Sequence, residues 1–197
     1  MYDTLATAVD SYAIGDMVSV REQGAVPMRN VGDAAAVPGG PVYCVVSTTG
    51  GDALGEARSD RDGTADVWTL TPTVANSTIY AIQIVLPEWD GLPAVVRTYE
   101  YTSDGSAADT EIVADFVSQI NGDSVISGRV TASGTTTLII TGDVLGMPIL
   151  VQDAASAGDW TSITHTTTAA AYTVLVPRAR WDEPCEPEAV APIFLNT

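Results

Sequence analysis

The chain has 197 residues, and its 25 acidic and 8 basic residues give a net charge of -17. With 46% hydrophobic residues, it contains enough apolar material for a packed core, which excludes a disordered chain. Every basic residue is an arginine, so Schiff-base chemistry on a lysine is excluded. The arginines form no cluster and the net charge repels phosphate groups, so the sequence argues against binding to nucleic acids or anionic membranes.

The sequence contains no apolar stretch long enough to span a membrane and no basic, apolar leader after Met1. We therefore expect synthesis in a cytoplasm, where thiols stay reduced. Cys44 lies in an apolar run and is expected to be a small buried hydrophobe, whereas Cys185 lies in a Pro-rich segment. A disulfide between them stays an open alternative. Neither has a Cys or His at metal-ligand spacing, so no metal or cofactor is predicted.

The first predicted unit, residues 1–75, is a β-rich N-terminal domain. Short strands are predicted at residues 17–20, 42–46 and 67–70. Turns rich in Gly, Pro and Asp separate them, at residues 37–41, 49–52 and 60–63. Short strands at this spacing predict an antiparallel, barrel-like or sandwich-like domain.

The second predicted unit, residues 76–155, combines a β-hairpin, one helix and a β-meander. Residues 78–86 and 94–101 predict the hairpin, and apolar residues on both faces of its first strand predict a strand covered on both sides. Apolar residues then recur at helical spacing within residues 107–121, and they are Ile112, Val113, Phe116, Val117 and Ile120. Ser106 or Asp109 is the predicted N-cap. The strands predicted after the helix span residues 124–132, 137–141 and 147–152.

The third predicted unit, residues 156–197, contains two strands and an extended C-terminal arm. Residues 160–168 and 172–176 are the predicted strands, and four prolines from Pro177 onward favour an extended conformation. The arm ends in Ile193, Phe194 and Leu195, which are the predicted partner-binding residues. The alternative is a tail that packs on its own domain. The fold class predicted for the whole chain is therefore mainly β, with one helix, in the α+β class.

Residues that could carry catalysis are few. His165 is the only histidine, it lies in a predicted strand, and no G-x-S-x-G motif accompanies it, so we interpret it as a strand residue. The acidic run at residues 60–66 resembles the start of a calcium loop, but its Gly comes too early and Thr71 stands where the last ligand belongs. It is interpreted as an acidic turn, with a weak cation site as the open alternative. No catalytic or cofactor-binding residue is predicted, and the protein is expected not to be an enzyme.

Residues 99–112 read Tyr-Glu-Tyr-Thr-Ser-Asp-Gly-Ser-Ala-Ala-Asp-Thr-Glu-Ile. They are followed by Phe116, by residues 120–121 and 130–133, by Leu-Ile-Ile-Thr at 138–141 and by Gly-Met-Pro-Ile at 146–149. This run of about 55 residues resembles a module found in cement, tail and sheath proteins of tailed bacteriophages. Residues 14–20 and 39–46 are similar to the G-D-x-V and G-x-P-V-Y strands of phage capsid cement proteins, although no clear segment precedes residue 14 as it does there.

The resemblance implies a structural virion protein, made in the host cytoplasm, that decorates and stabilises a phage capsid. Its implied partner is the major capsid protein, which it binds on the outer capsid surface, commonly as a trimer. The net charge fits this position because packaged DNA repels an acidic protein. A tail or neck protein is the alternative, since the module also occurs there. A glycan-binding virion domain is less favoured because aromatic residues are sparse.

Overall fold

The computed structural model describes residues 24–89, 91–155 and 159–195. The predicted fold class is confirmed, because the described residues are mainly β, with 47% in strands and 10% in helices. The strands of the described chain are β1 (Gly24–Arg29), β2 (Pro41–Val45), β3 (Ala57–Arg58), β4 (Gly63–Thr64), β5 (Val67–Pro72), β6 (Ile79–Leu86), β7 (Val95–Thr102), β8 (Val130–Ser133), β9 (Leu138–Gly142), β10 (Leu150–Asp153), β11 (Trp160–Thr167), β12 (Ala170–Ala171), β13 (Thr173–Trp181) and β14 (Val190–Leu195). Its helices are a 3-10 turn (Thr48–Gly50) and α1 (Asp109–Gly122).

A five-stranded antiparallel sheet joins the two ends of the described chain, in the order β1-β14-β13-β2-β3. Its apolar core includes Val42, Ala179, Trp181 and Ile193. The sheet curls because Asn30, just after β1, bridges Ala57 of β3 at the opposite edge. None of the sheets in the described residues closes into a barrel, so the predicted barrel-like N-terminal part is an open, curled sheet.

Two further sheets and α1 enclose the larger apolar core. The strand orders are β10-β6-β7 and β11-β5-β9-β8, and every pairing is antiparallel. Strand β6 contributes Tyr80, Ile82, Ile84 and Leu86, all fully buried, because side chains alternate between the two faces of a strand. The remaining pair, β4 and β12, forms a small ribbon.

The hairpin, the helix and the following meander occur in the predicted order. Strands β6 and β7 pair from Ile79–Thr102 to Leu86–Val95. The helix begins at Asp109 with Ala108 as its N-cap, so no side chain caps it, and neither Ser106 nor Asp109 has the predicted capping role. The next strand begins at Val130 rather than at residue 124, because residues 123–130 form hydrogen-bonded turns in which the Asp123 carboxylate accepts from the Val125 amide at 2.8 Å.

The boundaries at residues 75 and 155 stay a prediction, and the observed pairings cross both of them. Strand β5, from the first predicted unit, pairs with β9 and β11. Strands β13 and β14, from the third, pair with β2 and β1. The strand predicted at residues 17–20 lies outside the described residues. Among those that are described, no helix has the length and apolar character needed to span a membrane.

The helix stripe can be tested at Phe116, which is fully buried with its ring 5.4 Å from that of Trp160. We expect Phe116→Ala to lower the free energy of unfolding by about 3–5 kcal/mol, because a large cavity is left in the core. The measurement is urea unfolding. Ser118→Ala, on the exposed face of the same helix, is the control and should change stability by less than about 0.5 kcal/mol. A loss below about 1 kcal/mol for Phe116→Ala would show that the stripe is not core.

Candidate functional site

The predicted partner-binding residues lie in a central strand. Strand β14 pairs with β1 on one side and with β13 on the other. Ile193 is buried in the core of the sheet and Leu195 is half-buried beside it, whereas Phe194 is 46% exposed. A partner that approaches this tip therefore meets Phe194, and the partner-binding role of Ile193, Phe194 and Leu195 stays a prediction.

The outer face of the β10-β6-β7 sheet carries a row of apolar side chains across all three strands. Val85 of β6 lies opposite Leu150 of β10 and opposite Val96 of β7. Paired residues project from the same face of a sheet, so these three side chains, here called the apolar row, are neighbours. Leu150 is 45% exposed and Val96 is 56% exposed. The prediction that β6 is covered on both faces was therefore wrong for this end of the strand.

A second row of uncharged side chains, the amide row, lies two residues along the same strands. The Gln152 side-chain amide donates to the Gln83 carbonyl oxygen at 2.6 Å, and the Gln83 amide donates to the Thr98 hydroxyl at 3.5 Å. Gln83 lies opposite both Gln152 and Thr98 in the register. Neither row contains a charged side chain, and we call the two rows together the uncharged face. Glu100, opposite Ala81 in the next row, lies at its edge.

The acidic run at residues 60–66 is organised by a buried arginine. Arg58 is 4% exposed. Its guanidinium forms ion pairs with Asp33 at 2.9 Å, Asp60 at 3.1 Å, Asp62 at 3.8 Å and also with Asp52. Burial alone lowers the pKa of Arg58, but the hydrogen bonds to the aspartates outweigh it and raise the pKa above its ordinary value.

The same ion pairs also concern the weak cation site that the sequence left open at residues 60–66. The carboxylates of Asp60 and Asp62 are directed at Arg58. Within the described ranges, no group of three or more His, Cys, Asp or Glu side chains has an arrangement that could hold a metal ion. The sequence contained a signal for this role of Arg58, since it is an arginine placed among aspartates at positions 52, 60 and 62.

His165 is bound to a buried aspartate that lies 99 residues away in the sequence. Asp66 accepts hydrogen bonds from the amides of Ile149 and Ala169, both at 2.7 Å, and lies 2.6 Å from His165 Nε2. The imidazole also stacks on Trp68, with ring centroids 4.4 Å apart. In the part of the chain that is described, no Ser, Thr or Cys side chain hydrogen-bonds to His165. The hydrogen bond between Asp66 and His165 links β11 to the start of β5.

No family model, no curated protein and no solved structure matches the chain.

The contribution of Arg58 can be tested by Arg58→Met, which keeps much of the side-chain volume and removes the charge. We expect a loss of about 3 kcal/mol in the free energy of unfolding, because several carboxylates then face one another without a cation. This expected loss lies at the lower end of the range for breaking a buried ion pair, because these carboxylates stay partly hydrated. Chemical denaturation measures the loss, with Arg178→Met at an exposed position as the control. A loss no larger than that of the control would contradict the structural role of Arg58.

Proposed function

We propose that the protein is a structural virion component that decorates a tailed-phage capsid and binds the major capsid protein on the outer surface. The observation that carries this proposal is the uncharged face of the β10-β6-β7 sheet. Exposed apolar patches on proteins commonly mark surfaces that contact another protein. Here the apolar row runs across three strands, so one partner surface can cover it without distorting the sheet.

The uncharged face places no charged side chain at the centre of the proposed contact. The protein carries 25 acidic residues, and one of them, Glu100, lies at the edge of this face. A charged side chain at the centre of a contact has to lose its hydration, and the cores of protein interfaces are accordingly depleted of charge. Amide side chains satisfied by one another, as Gln83 and Gln152 are, lose less on such contact.

The overall charge supports a position outside the DNA-filled capsid. A net charge of -17 repels the phosphate backbone and favours partner surfaces that are neutral or basic. The resemblance of residues 99–149 to phage virion proteins supports the same assignment, and it further implies a trimer on the capsid. The alternative is a tail or neck protein, for which the same uncharged face would contact a tail subunit.

The location can be tested by quantitative mass spectrometry of purified virions, with and without their tails. We expect copy numbers of this chain close to those of the major capsid protein, retained in tailless heads. The physical reason is that a cement protein bound to capsid subunits repeats with the capsid lattice. A low copy number, or loss of the chain together with the tails, would replace the capsid assignment by the tail or neck alternative.

The uncharged face can be tested by the double variant Val96→Asp and Leu150→Asp. We expect binding to capsids that lack this protein to weaken by at least about tenfold, because two carboxylates would have to be desolvated in the contact. Cosedimentation with the capsids measures binding. The control is Ala114→Asp with Ser118→Asp, which adds the same charge to the exposed side of α1. Equal binding by both double variants would contradict the assigned surface.

A further inference from the structure

The curled five-stranded sheet contains an apolar pocket of about 180 Å³ at one end. Four of its strands supply apolar side chains, and β3 closes one side with Ala57. The main lining residues are Val26, Met28, Val42, Cys44, Val176 and Leu195. An apolar cavity of roughly 150 Å³ accommodates a benzene-sized group, so this pocket has room for small apolar side chains.

The shape of the sheet explains why the pocket is open. The edges meet where Asn30 bridges Ala57, and the Val31 amide donates to the Ala57 carbonyl at 3.0 Å. Among the described residues, β1 is the outermost strand on its side and β3 on the other. Strand β3 has only two residues, so it walls the pocket along a short distance.

In the sequence, the segment before β1 directly adjoins residues that line this pocket. Strand β1 begins at Gly24, and two of its residues, Val26 and Met28, line the pocket. The sequence predicts a strand at residues 17–20, outside the described residues, and only residues 21–23 separate it from β1. A link of three residues is within the common range for β-hairpins.

The pattern of this segment matches the chemistry of the pocket. Side chains alternate along a strand, so Val18 and Val20 share one face. Two valine side chains have as many carbon atoms as benzene, and the pocket lining is almost entirely apolar. We propose that the pocket is the docking site of the segment at residues 17–20 of the same chain, with Val18 and Val20 inside it. The docking is a property of the isolated protein and does not depend on capsid binding.

The thiol of Cys44 makes the docking measurable. Cys44 is a free, half-buried cysteine in the pocket lining, whereas Cys185 is free and buried in the core of the same sheet, outside the pocket lining. Docked valines would shield Cys44 from an alkylating reagent. The experiment treats the full-length protein with iodoacetamide and follows each cysteine by peptide mass spectrometry.

For Val18→Asp with Val20→Asp, we expect alkylation of Cys44 to accelerate at least about tenfold, because carboxylates do not enter an apolar pocket. Thr4→Asp with Thr7→Asp adds the same charge to the same terminal region and should leave the Cys44 rate unchanged. Cys185 should stay protected in both variants, which shows that the sheet is folded. If the aspartates unfold the sheet, Val18→Thr with Val20→Thr provides a nearly isosteric pair that should still accelerate Cys44.

Three results would overturn the proposal. The first is a Cys44 rate that is the same in the unmodified chain and in both valine variants while Cys185 stays protected. The second is a Cys44 rate that rises on strong dilution of the unmodified protein, which would assign the pocket to a second copy. The third is a Cys44 that becomes protected only when capsids are added, which would assign the pocket to a capsid segment.

Discussion

The pairing of β2 with β13 is the constraint on which the rest of the structure depends. It places Val45 opposite Thr173, Cys44 opposite Val174 and Tyr43 opposite Leu175, so it joins parts of the chain about 130 residues apart. Closing so long a loop costs conformational entropy. The hydrogen bonds of the five-stranded sheet and the burial of Trp181 and Val42 in its core offset that cost. Between these two ends, the strands from β5 to β11 and α1 form the larger core.

Acidic residues serve two different purposes in this protein. Some of them link parts of the chain. Asp66 is fully buried and hydrogen-bonds to His165, and Asp52, Asp60 and Asp62 form ion pairs with Arg58. The others give the surface its net negative charge. The uncharged face lies on the solvent-facing side of β6, opposite the side that carries Tyr80, Ile82 and Ile84 into the core. This exposed side of the sheet is what connects the packing of the molecule to the assembly role that we propose.

The uncharged face and the apolar pocket are suited to different binding partners. The uncharged face is broad, lies across three strands and presents paired amides, which suits the surface of another folded protein. The pocket is narrow, lies at the end of a curled sheet and has space for a few small side chains, which suits an extended segment. The capsid partner and the terminal segment that we propose would therefore not compete for one surface.

The sequence by itself determined the elements whose signals are local. The β6–β7 hairpin and the stripe of α1 follow from alternation with a period of two and from apolar spacing of three and four residues, and Ile112, Phe116 and Ile120 are buried as that spacing requires. Tertiary structure alone decided which strands pair, which face of β6 stays uncovered, and that Asp66 meets His165. Residues 124–129 show the same limit, since turn hydrogen bonds to Asp123 prevail there over a strand-like pattern. A local pattern indicates that apolar residues recur with the period of a strand or a helix. Burial and strand pairing, however, depend on contacts with residues about a hundred positions away.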